Sequence, residues 1–456
     1  ESQKGNLLLW QLKEKLPFFV LSAVFSILTI FAQPGPLVKG YPFPFESRII
    51  NALISFIIYL EKTFRPQDLS VGYPFWGQVP AWQLLFASLL IIMISTALTV
   101  TVKRRPHLFI GWFWYAITIL PVIGIIPAGN NAMADRYTYL PSIGISIMLA
   151  WGVPLLFKSE NMRKKILLPA ALIFLITMSV LTWKQCGYWE NSFTLFSRAL
   201  QVTKNNFLAH NGLGIALFNE KKTKEAIDHY NKAINIAPPY AFAYINRAVA
   251  YASLGQYQLA ISDYNQAISL QPYYVLTYNN RGIAYSKLGR YQPAFEDFNK
   301  SISLQPDYAD AYYNRGNIYI KSGRYQRAIE DFSEAIRLQP NKIHSYNNRG
   351  NAYAELGQYE SAIDDFNKSI SLQPDYADTY YNRGTAFVKT GRPYNAIEDF
   401  NKVIRLKPND ADVYALRGVA YFLLGDNESG CADEQKACTL GNCKTLESAE
   451  TKGLCR

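Results

Sequence analysis

Two patterns of apolar and polar residues divide the chain. Across residues 1–183 the apolar residues form long stretches without a charge, whereas from about residue 207 charged residues interrupt them regularly. Each uncharged stretch contains about the 17–25 residues that a helix needs to cross hydrocarbon. The stretches are 16–38, 69–102, 106–134, 137–157 and 166–183. The first region therefore predicts five membrane-spanning helices.

A shorter apolar segment lies between the first two stretches. Residues 49–60 follow Arg48, precede Glu61 and include the polar Asn51 and Ser55. A helix of this length is too short to cross about 30 Å of hydrocarbon. The segment therefore predicts an interfacial or re-entrant helix.

Basic residues between the predicted spans indicate the orientation of the chain, because short loops rich in Lys and Arg stay on the cytoplasmic side. With five spans, the basic clusters at 13–15, 103–105 and 158–165 fall on one side of the membrane. The chain after Trp183 then emerges on the other side. We therefore expect a multi-pass membrane protein, of the bacterial inner membrane, whose second half is extracytoplasmic or periplasmic.

The second half of the chain repeats every 34 residues. The recurring residues are Pro at 238, 272, 306, 340, 374 and 408, Gly at 255, 289, 323, 357, 391 and 425, and Ala at 226, 260, 294, 328, 362 and 396. This period, with Ala at helix crossings and Pro after the second helix, is the tetratricopeptide pattern of helical hairpins. The aromatic residues expected between the helices are Tyr264, Phe298, Phe332, Phe366 and Phe400.

Seven repeats fit between about Phe207 and Cys443, after a half repeat at 189–202. The first repeat has Lys221 at the position of the turn Gly, and the seventh carries cysteines, as is typical of capping units. We predict an all-α fold, a polytopic transmembrane helical bundle followed by a tetratricopeptide-repeat superhelix. Its parts are a transmembrane domain at 1–183, a junction at 184–206, the repeats at 207–443 and a cap at 444–456.

The basic charge is concentrated in the first half. The chain has 46 Lys and Arg against 35 Asp and Glu; residues 1–183 contribute 15 against 7, and the rest contribute 31 against 28. Phosphate binding needs a basic stripe on a folded face, and the nearly balanced repeats do not favour one. We expect the lipid bilayer as a partner and no nucleic acid.

Four of the five cysteines lie close together near the C terminus: Cys431, Cys438, Cys443 and Cys455. Clustered thiols in an oxidising compartment usually pair. A zinc site is the alternative, but gaps of 6, 4 and 11 residues lack the paired C-x-x-C spacing that such sites usually show. We predict two disulfides, with their connectivity open, and no metal site.

Two motifs accompany the repeats in the membrane region. Residues 133–141 read M-A-D-R-Y-T-Y-L-P, and residues 14–19 read E-K-L-P-F-F. With the fused repeats, they resemble the transmembrane and tetratricopeptide-repeat O-mannosyltransferases, of the GT-C type, and their bacterial relatives. The resemblance implies a glycosyltransferase that takes sugar from a polyprenyl-phosphate donor. In such families the catalytic acidic residue lies in the first external loop, near the N terminus. We expect this region to be missing here, which makes the chain a C-terminal part, and we assign no catalytic residue.

Asp135 and Arg136 lie between two predicted spans, at the external interface. A guanidinium there is suited to hold the lipid phosphate of the donor through paired hydrogen bonds, and charges at membrane depth are often functional. The alternative is a contact between Asp135 and Arg136, or with a loop carbonyl, that shapes the turn. Tyr137, Tyr139 and Trp114 fit interface anchors better than sugar-binding platforms.

An asparagine row follows the repeat period: Asn246, Asn280, Asn314, Asn348 and Asn382. Repeat geometry places these amides on the concave face, where they are suited to bind the backbone of an extended polypeptide partner. The row is similar to the asparagine ladder of the O-linked N-acetylglucosamine transferase repeats. Alternatively, the amides only bond between adjacent repeats. The Arg after each Asn is expected to pair with the regular Asp297, Asp331, Asp365 and Asp399.

The remaining titratable residues belong to no motif. Glu46 and Asp68 are interpreted as solvated loop carboxylates, and the histidines at 107, 210, 229 and 344 share no metal-ligand spacing. There is no Walker loop, dinucleotide fingerprint or nucleophile motif, so no bound cofactor is evident. Two hypotheses follow: a glycosyltransferase-like membrane protein whose repeats bind the acceptor, or a non-catalytic membrane-anchored scaffold at the cell envelope.

Overall fold

A computed structural model describes residues 45–66, 68–73, 79–123, 138–157 and 159–455. The chain divides into two compact units, Glu1–Ala250 and Tyr251–Arg456. The regular elements in the described ranges are helices. The prediction of an all-α fold is therefore confirmed.

Within the described residues, five helices precede the repeats: α1 at Phe45–Phe64, α2 at Ala81–Val100, α3 at Pro106–Ile119, α4 at Tyr139–Gly152 and α5 at Glu160–Tyr188. Short 3₁₀ turns follow α3 at Leu120–Val122 and α4 at Val153–Leu156. Among the described residues, three helical segments are long and apolar enough to cross a membrane, namely Ala81–Val100, Tyr139–Leu156 and Glu160–Tyr188.

These three segments correspond to the second, fourth and fifth predicted spans. The first predicted span, 16–38, lies outside the described residues, as does the end of the third. The third begins with α3, which has 14 residues. The segment predicted as a short interfacial helix belongs to α1, a helix of 20 residues that includes charged residues at both ends. The described residues thus contain three candidate spans, which is fewer than the five predicted.

Two glycines allow α3 and α4 to approach closely. A Cβ atom added at Gly111 would lie 2.4 Å from the carbonyl oxygen of Gly144, and one at Gly144 would lie 2.3 Å from that of Gly111. Small residues at helix crossings are typical of membrane proteins, because van der Waals contact rather than hydrophobic burial holds such helices together. Neither position can accept a larger residue without moving the backbone.

Aromatic side chains connect this helix pair to its neighbours. Trp112 of α3 donates its indole N–H to Ser95 Oγ of α2 at 2.9 Å, and Tyr115 donates its hydroxyl to the Phe56 carbonyl of α1 at 2.7 Å. Phe56, Trp112, Tyr115 and Ile145 lie in one buried cluster. α1 is therefore packed into the helical region rather than lying free of it.

The repeat region contains helices α6 to α21. Those that begin in the first unit are α6 at Ser192–Val202, α7 at Phe207–Asn219, α8 at Thr223–Ile236 and α9 at Ala241–Ser253. The others are α10 at Tyr257–Leu270, α11 at Val275–Lys287, α12 at Tyr291–Leu304, α13 at Ala309–Lys321, α14 at Tyr325–Leu338, α15 at Ile343–Glu355, α16 at Tyr359–Leu372, α17 at Ala377–Lys389, α18 at Pro393–Leu406, α19 at Ala411–Leu423, α20 at Asn427–Thr439 and α21 at Lys444–Thr451.

Each hairpin is packed by the residues that the period identified. The periodic alanines and the aromatic residues are fully or almost fully buried. A glycine on the first helix of most repeats faces the aromatic ring; a Cβ atom at Gly350, for example, would lie 2.6 Å from the ring of Phe366. The turn glycines have a positive φ, which costs glycine little. Lys221, at that position in the first repeat, has the same conformation, with φ of 64°.

The C-terminal cap contains α21, which follows α20 of the seventh repeat. Cys431 pairs with Cys455, and Cys438 pairs with Cys443. The prediction of two disulfides is therefore confirmed, and the connectivity that the sequence left open is known. Because Cys443 and Cys455 flank α21, this helix is attached to α20 at both ends.

Candidate functional site

Three amides of the asparagine row donate to asparagines outside the row, in the preceding repeat. In the first unit, Asn246 Nδ2 donates to Asn211 Oδ1 at 2.9 Å. In the second unit, Asn314 donates in the same way to Asn279 at 2.9 Å and Asn382 to Asn347 at 3.1 Å. These hydrogen bonds each join a repeat to the one before it.

The other two members of the row have different partners. Asn348 Nδ2 donates to Asn317 Oδ1 at 2.8 Å, and Asn280 accepts from the neighbouring Asn279 at 3.4 Å. The amides of the row are half-buried, not hidden. The structural alternative from the sequence, bonding between repeats, is therefore present. Peptide binding through the remaining hydrogen-bonding capacity of these amides stays a prediction.

The arginine that follows each of these asparagines forms the predicted network. Arg281, Arg315, Arg349 and Arg383 donate from Nε and a terminal nitrogen to both oxygens of Asp297, Asp331, Asp365 and Asp399, at 2.6–2.9 Å. Their other terminal nitrogen reaches the preceding repeat, at Asn265, Asn299, Ser333 and Asn367. Every such guanidinium thus joins two repeats.

Burial governs the electrostatics of this network. It raises the pKa of Asp297, Asp331, Asp365 and Asp399, and the paired guanidinium offsets part of this rise. The carboxylates are 4–5% exposed. Bidentate pairs of this kind have a fixed geometry. We therefore interpret the network as a connection between neighbouring repeats rather than as a binding site for a charged ligand.

The loop after α1 contacts the start of the repeats. Asn206 donates Nδ2 to the Gly72 carbonyl at 3.1 Å, and Arg198 donates to Asp68 Oδ1 at 3.2 Å. We call these two contacts the loop latch. Asp68 is largely exposed, as the sequence suggested, but its ion pair was missed because nothing in the sequence links residues 130 positions apart.

A cavity of about 330 Å³ adjoins the loop latch. Val71 and Gly72 of the loop form one wall, and α6, α7 and Tyr240 form the others. The lining is mainly apolar, with amides among the remaining groups: Phe196, Leu208, Ile215, Asn211 and Asn219. One of these lining residues, Asn211, also accepts a hydrogen bond from Asn246 of the asparagine row.

The predicted donor-binding residues Asp135 and Arg136 lie outside the described residues, as does Tyr137. Of the predicted anchors, Tyr139 is 78% exposed at the start of α4. Trp114 is partly exposed and donates its indole N–H to the Leu140 carbonyl at 3.0 Å. Glu46 is exposed in the first turn of α1.

Two histidines that the sequence analysis treated separately are in contact. His210 Nδ1 on α7 lies 3.1 Å from His229 Nδ1 on α8. Burial, His229 and Lys232 lower the pKa of His210 to about 4, and burial also lowers the pKa of His229. The signal that was missed is their separation of 19 residues, which joins the two helices of one hairpin. The described residues contain no group of three or more His, Cys, Asp or Glu placed to hold a metal.

Family comparisons identify the repeats. Tetratricopeptide repeat models match residues 207–240, 241–274, 275–308, 309–342, 377–410 and 332–364, and a further TPR repeat model matches 350–391. A tetratricopeptide repeat protein of Parabacteroides merdae has a similar structure over 53% of this chain and 96% of its own, with 22% identity and a TM-score of 0.43. Such repeats commonly bind peptides or proteins on an extended concave surface.

Proteins with similar sequences include several that are named protein O-mannosyl-transferases. The human protein O-mannosyl-transferase TMTC3 is 31% identical over 143 residues, which is 30% of this chain and 16% of that protein. The Drosophila melanogaster protein O-mannosyl-transferase Tmtc3 is 26% identical over 175 residues, or 38% of this chain and 19% of that protein. The matches thus span less than a fifth of these relatives' length. The chain contains tetratricopeptide repeats at 207–410 and is homologous, over part of its length, to proteins named as TMTC protein O-mannosyl-transferases.

Proposed function

We propose that the intact protein is a membrane glycosyltransferase that moves a sugar from a polyprenyl-phosphate donor to a polypeptide held by its repeats. The observation that carries this proposal is the homology to proteins named as O-mannosyltransferases. Apolar helices beside the repeats support it, because a polyprenyl donor resides in the bilayer whereas a polypeptide acceptor approaches from water. The chain supplies membrane segments and an acceptor-binding region for this reaction.

In this proposal five helices span the membrane and the repeats are extracytoplasmic, in the periplasm of a bacterium. The basic residues 103–105 follow α2, and 163–165 lie near the start of α5, as expected for cytoplasmic ends. Exposed aromatic residues lie at the opposite ends of helices: Trp82, Tyr139 and Trp183. The disulfides also fit an oxidising compartment.

We propose Arg136, with Asp135 beside it, as the group that binds the phosphate of the donor. A guanidinium presents paired donors that match phosphate oxygens. The test uses the intact protein in lipid nanodiscs, a polyprenyl-phosphate mannose as donor and a Ser/Thr-rich peptide as acceptor probe. Loss of Arg136 should lower transfer by roughly 10- to 100-fold, the effect of losing one or two charged hydrogen bonds.

The matched control is Arg104→Ala, which removes a basic residue from the opposite end of the helices. This variant should transfer sugar at the normal rate, and both variants should retain the same unfolding temperature of the repeats. Unchanged donor affinity and transfer in Arg136→Ala would assign Arg136 to the structure of the turn.

We propose the asparagine row as the acceptor-binding surface, reading backbone rather than side chains. Replacement of Asn280, Asn314 and Asn348 by Ala should weaken binding of the peptide probe by a few kcal/mol, at about 1 kcal/mol for each neutral hydrogen bond. Probes of different sequence should lose similar affinity. Asn341 and Asn409, exposed in turns between repeats, provide control substitutions that should not affect binding.

The bonds between repeats require a second measurement on the same variants. If the asparagines serve only the array, the triple variant should unfold at a lower temperature and still bind normally below that temperature. If they bind the acceptor, affinity should fall even where hydrogen exchange shows the repeats to be folded. Binding that is normal in a folded triple variant contradicts the proposal.

A membrane-anchored scaffold is the second candidate. It is favoured by the observation that the repeats are the part of the chain that family models identify. In that case the intact protein should bind partners through its repeats but transfer no sugar from any polyprenyl-phosphate donor. Transfer that depends on Arg136 would exclude this candidate.

A further inference from the structure

The last repeat has a carboxyl group at a core position that is aromatic elsewhere. Phe298, Phe332, Phe366 and Phe400 occupy this position in the four preceding repeats, and the next residue at the same interval is Glu434 on α20. Glu434 is 1% exposed. A glycine on the first helix faces it, as in the other repeats: a Cβ atom at Gly418 would lie 3.1 Å from Glu434 Oε1. The carboxyl thus fills a space built for a ring.

The surroundings of Glu434 satisfy its charge poorly. Its Oε2 atom is buried and has no hydrogen-bond partner in the described part of the chain. Burial raises the pKa of Glu434 and the adjacent Asp433 adds to this rise, whereas the nearby hydroxyl of Thr445 on α21 offsets only part of it. Arg417 of α19 donates to Asp433 instead. The charged residues of α21, which are Lys444, Glu447 and Glu450, are exposed.

The two disulfides hold α21 over this carboxyl. Cys431 and Cys438 lie one turn before and one turn after Glu434 on α20, and they bind the residues that flank α21. An ionised carboxylate without a partner is costly to bury. The covalent bonds therefore oppose a helix separation that ionisation of Glu434 favours.

We propose that the C-terminal cap is a gate that opens only when its disulfides are reduced and Glu434 has lost its proton. A dithiol gives two electrons and two protons to each disulfide and becomes a disulfide itself, which leaves four thiols on the protein. Glu434 then releases its proton to water as α21 moves away. The proton-linked stability of the closed cap is complete at low pH and decreases as the pH rises through the raised pKa of the folded state.

Hydrogen exchange of residues 440–456 in the intact protein tests the gate. The background is Cys186→Ser, so that the free thiol of Cys186 cannot exchange with the cap disulfides. The oxidised protein should exchange slowly at pH 5 and pH 8. After reduction with dithiothreitol, the opening equilibrium, corrected for the intrinsic exchange rate, should rise with pH between the pKa of Glu434 in the open cap and its raised pKa in the closed cap, by at most tenfold per pH unit, the slope for release of one proton.

Two substitutions distinguish charge from shape. Glu434→Gln keeps the size of the side chain and should abolish the pH dependence of the reduced cap. Glu434→Phe restores the residue of the preceding repeats and should keep the reduced cap closed at both pH values. Reduced wild-type protein that opens equally at pH 5 and pH 8, or a pH dependence that persists in Glu434→Gln, would overturn the proposal.

Discussion

The helix pair α3–α4 and the repeat hairpins both bring two helices into close contact, but they do so differently. In α3–α4 the backbones meet at Gly111 and Gly144. In the hairpins a glycine or alanine of one helix meets an aromatic ring of the other, as Gly350 meets Phe366. In water, burying a ring between helices is favourable because apolar surface is removed from water. In lipid the same burial gains no hydrophobic free energy. Small residues therefore allow two kinds of helix crossing. At the α3–α4 crossing they allow backbone contact, and at the hairpin crossings they make room for an aromatic ring.

The outer faces of the two regions differ in the same way. The apolar window of α5 has no buried residue, and residues such as Leu172 and Ile176 are more than half exposed. Apolar surface of this extent requires a lipid environment or a partner. The repeats instead place their charged residues in bidentate pairs or on the surface. Charge pairing thus connects the repeats, whereas the described helices α1 to α4 are connected by apolar contacts, by the backbone contact of α3 with α4 and by the hydrogen bonds of Trp112 and Tyr115.

The largest expected effect comes from breaking one bidentate pair. Arg349→Met leaves the buried Asp365 without its cation, which typically costs about 3–5 kcal/mol of unfolding free energy. Urea unfolding, followed by hydrogen exchange of α15 and α16, measures the loss. Arg337→Met is the control, because Arg337 pairs with Glu334 at a largely exposed site, where such pairs contribute about 0–1 kcal/mol.

A double substitution shows whether this loss comes from the uncompensated charge. Arg349→Met with Asp365→Leu should recover much of the stability, since apolar replacement of a whole buried pair is often neutral. Equal destabilisation in the single and double variants would instead mean that the bond from Arg349 to Ser333 carries the effect.

A smaller effect is expected from overpacking the helix crossings. Gly111→Val and Gly350→Val both place atoms where none fit, at about 1–3 kcal/mol for a packed core. Gly350→Val should be the milder change, because a ring can shift, whereas Gly111→Val meets a carbonyl oxygen of α4. Thermal unfolding in nanodiscs compares the two variants. A milder effect at Gly111 would contradict the backbone contact between α3 and α4.

The smallest effect is expected at the histidine pair of the first repeat. Because the folded-state pKa of His210 is about 4 and an unperturbed histidine titrates near 6.5, the unfolded state binds more protons between these values. Stability of α7 and α8 should therefore be complete above pH 6.5 and decrease as the pH falls towards 4. Hydrogen exchange at pH 7.5 and pH 5 measures this change, and His210→Gln with His229→Gln should remove it. A pH dependence that survives the double substitution would assign it to other groups.

The periodic features of the fold were predictable from the sequence, and the isolated ones were not. A residue that recurs six times, such as the alanine at Ala294, reports one environment repeatedly, so its burial follows from the period alone. The Arg–Asp pairs were predictable for the same reason. Asp68 and Arg198, or His210 and His229, occur once each, and their contacts depend on how separate segments pack. Glu434 is recognisable as unusual only by comparison with the aromatic residues at the same position of the preceding repeats.

The candidate site divides along the same line. The asparagine row was predictable as a set of positions, but its donors are used between repeats in a way that no single repeat reveals. The cavity beside Tyr240 was not predictable, because one wall belongs to a loop far away in the sequence. The assignment of Asp135 and Arg136 to binding of the sugar donor depends on the family resemblance, and it stays a prediction.

The loop latch has a mechanical consequence. The peptide chain joins α5 to α6 at one point, and a body held at a single point is free to pivot. Arg198 and Asn206 add a second attachment through Asp68 and Gly72. This second attachment restricts the rotation of the first hairpin about the junction between α5 and α6.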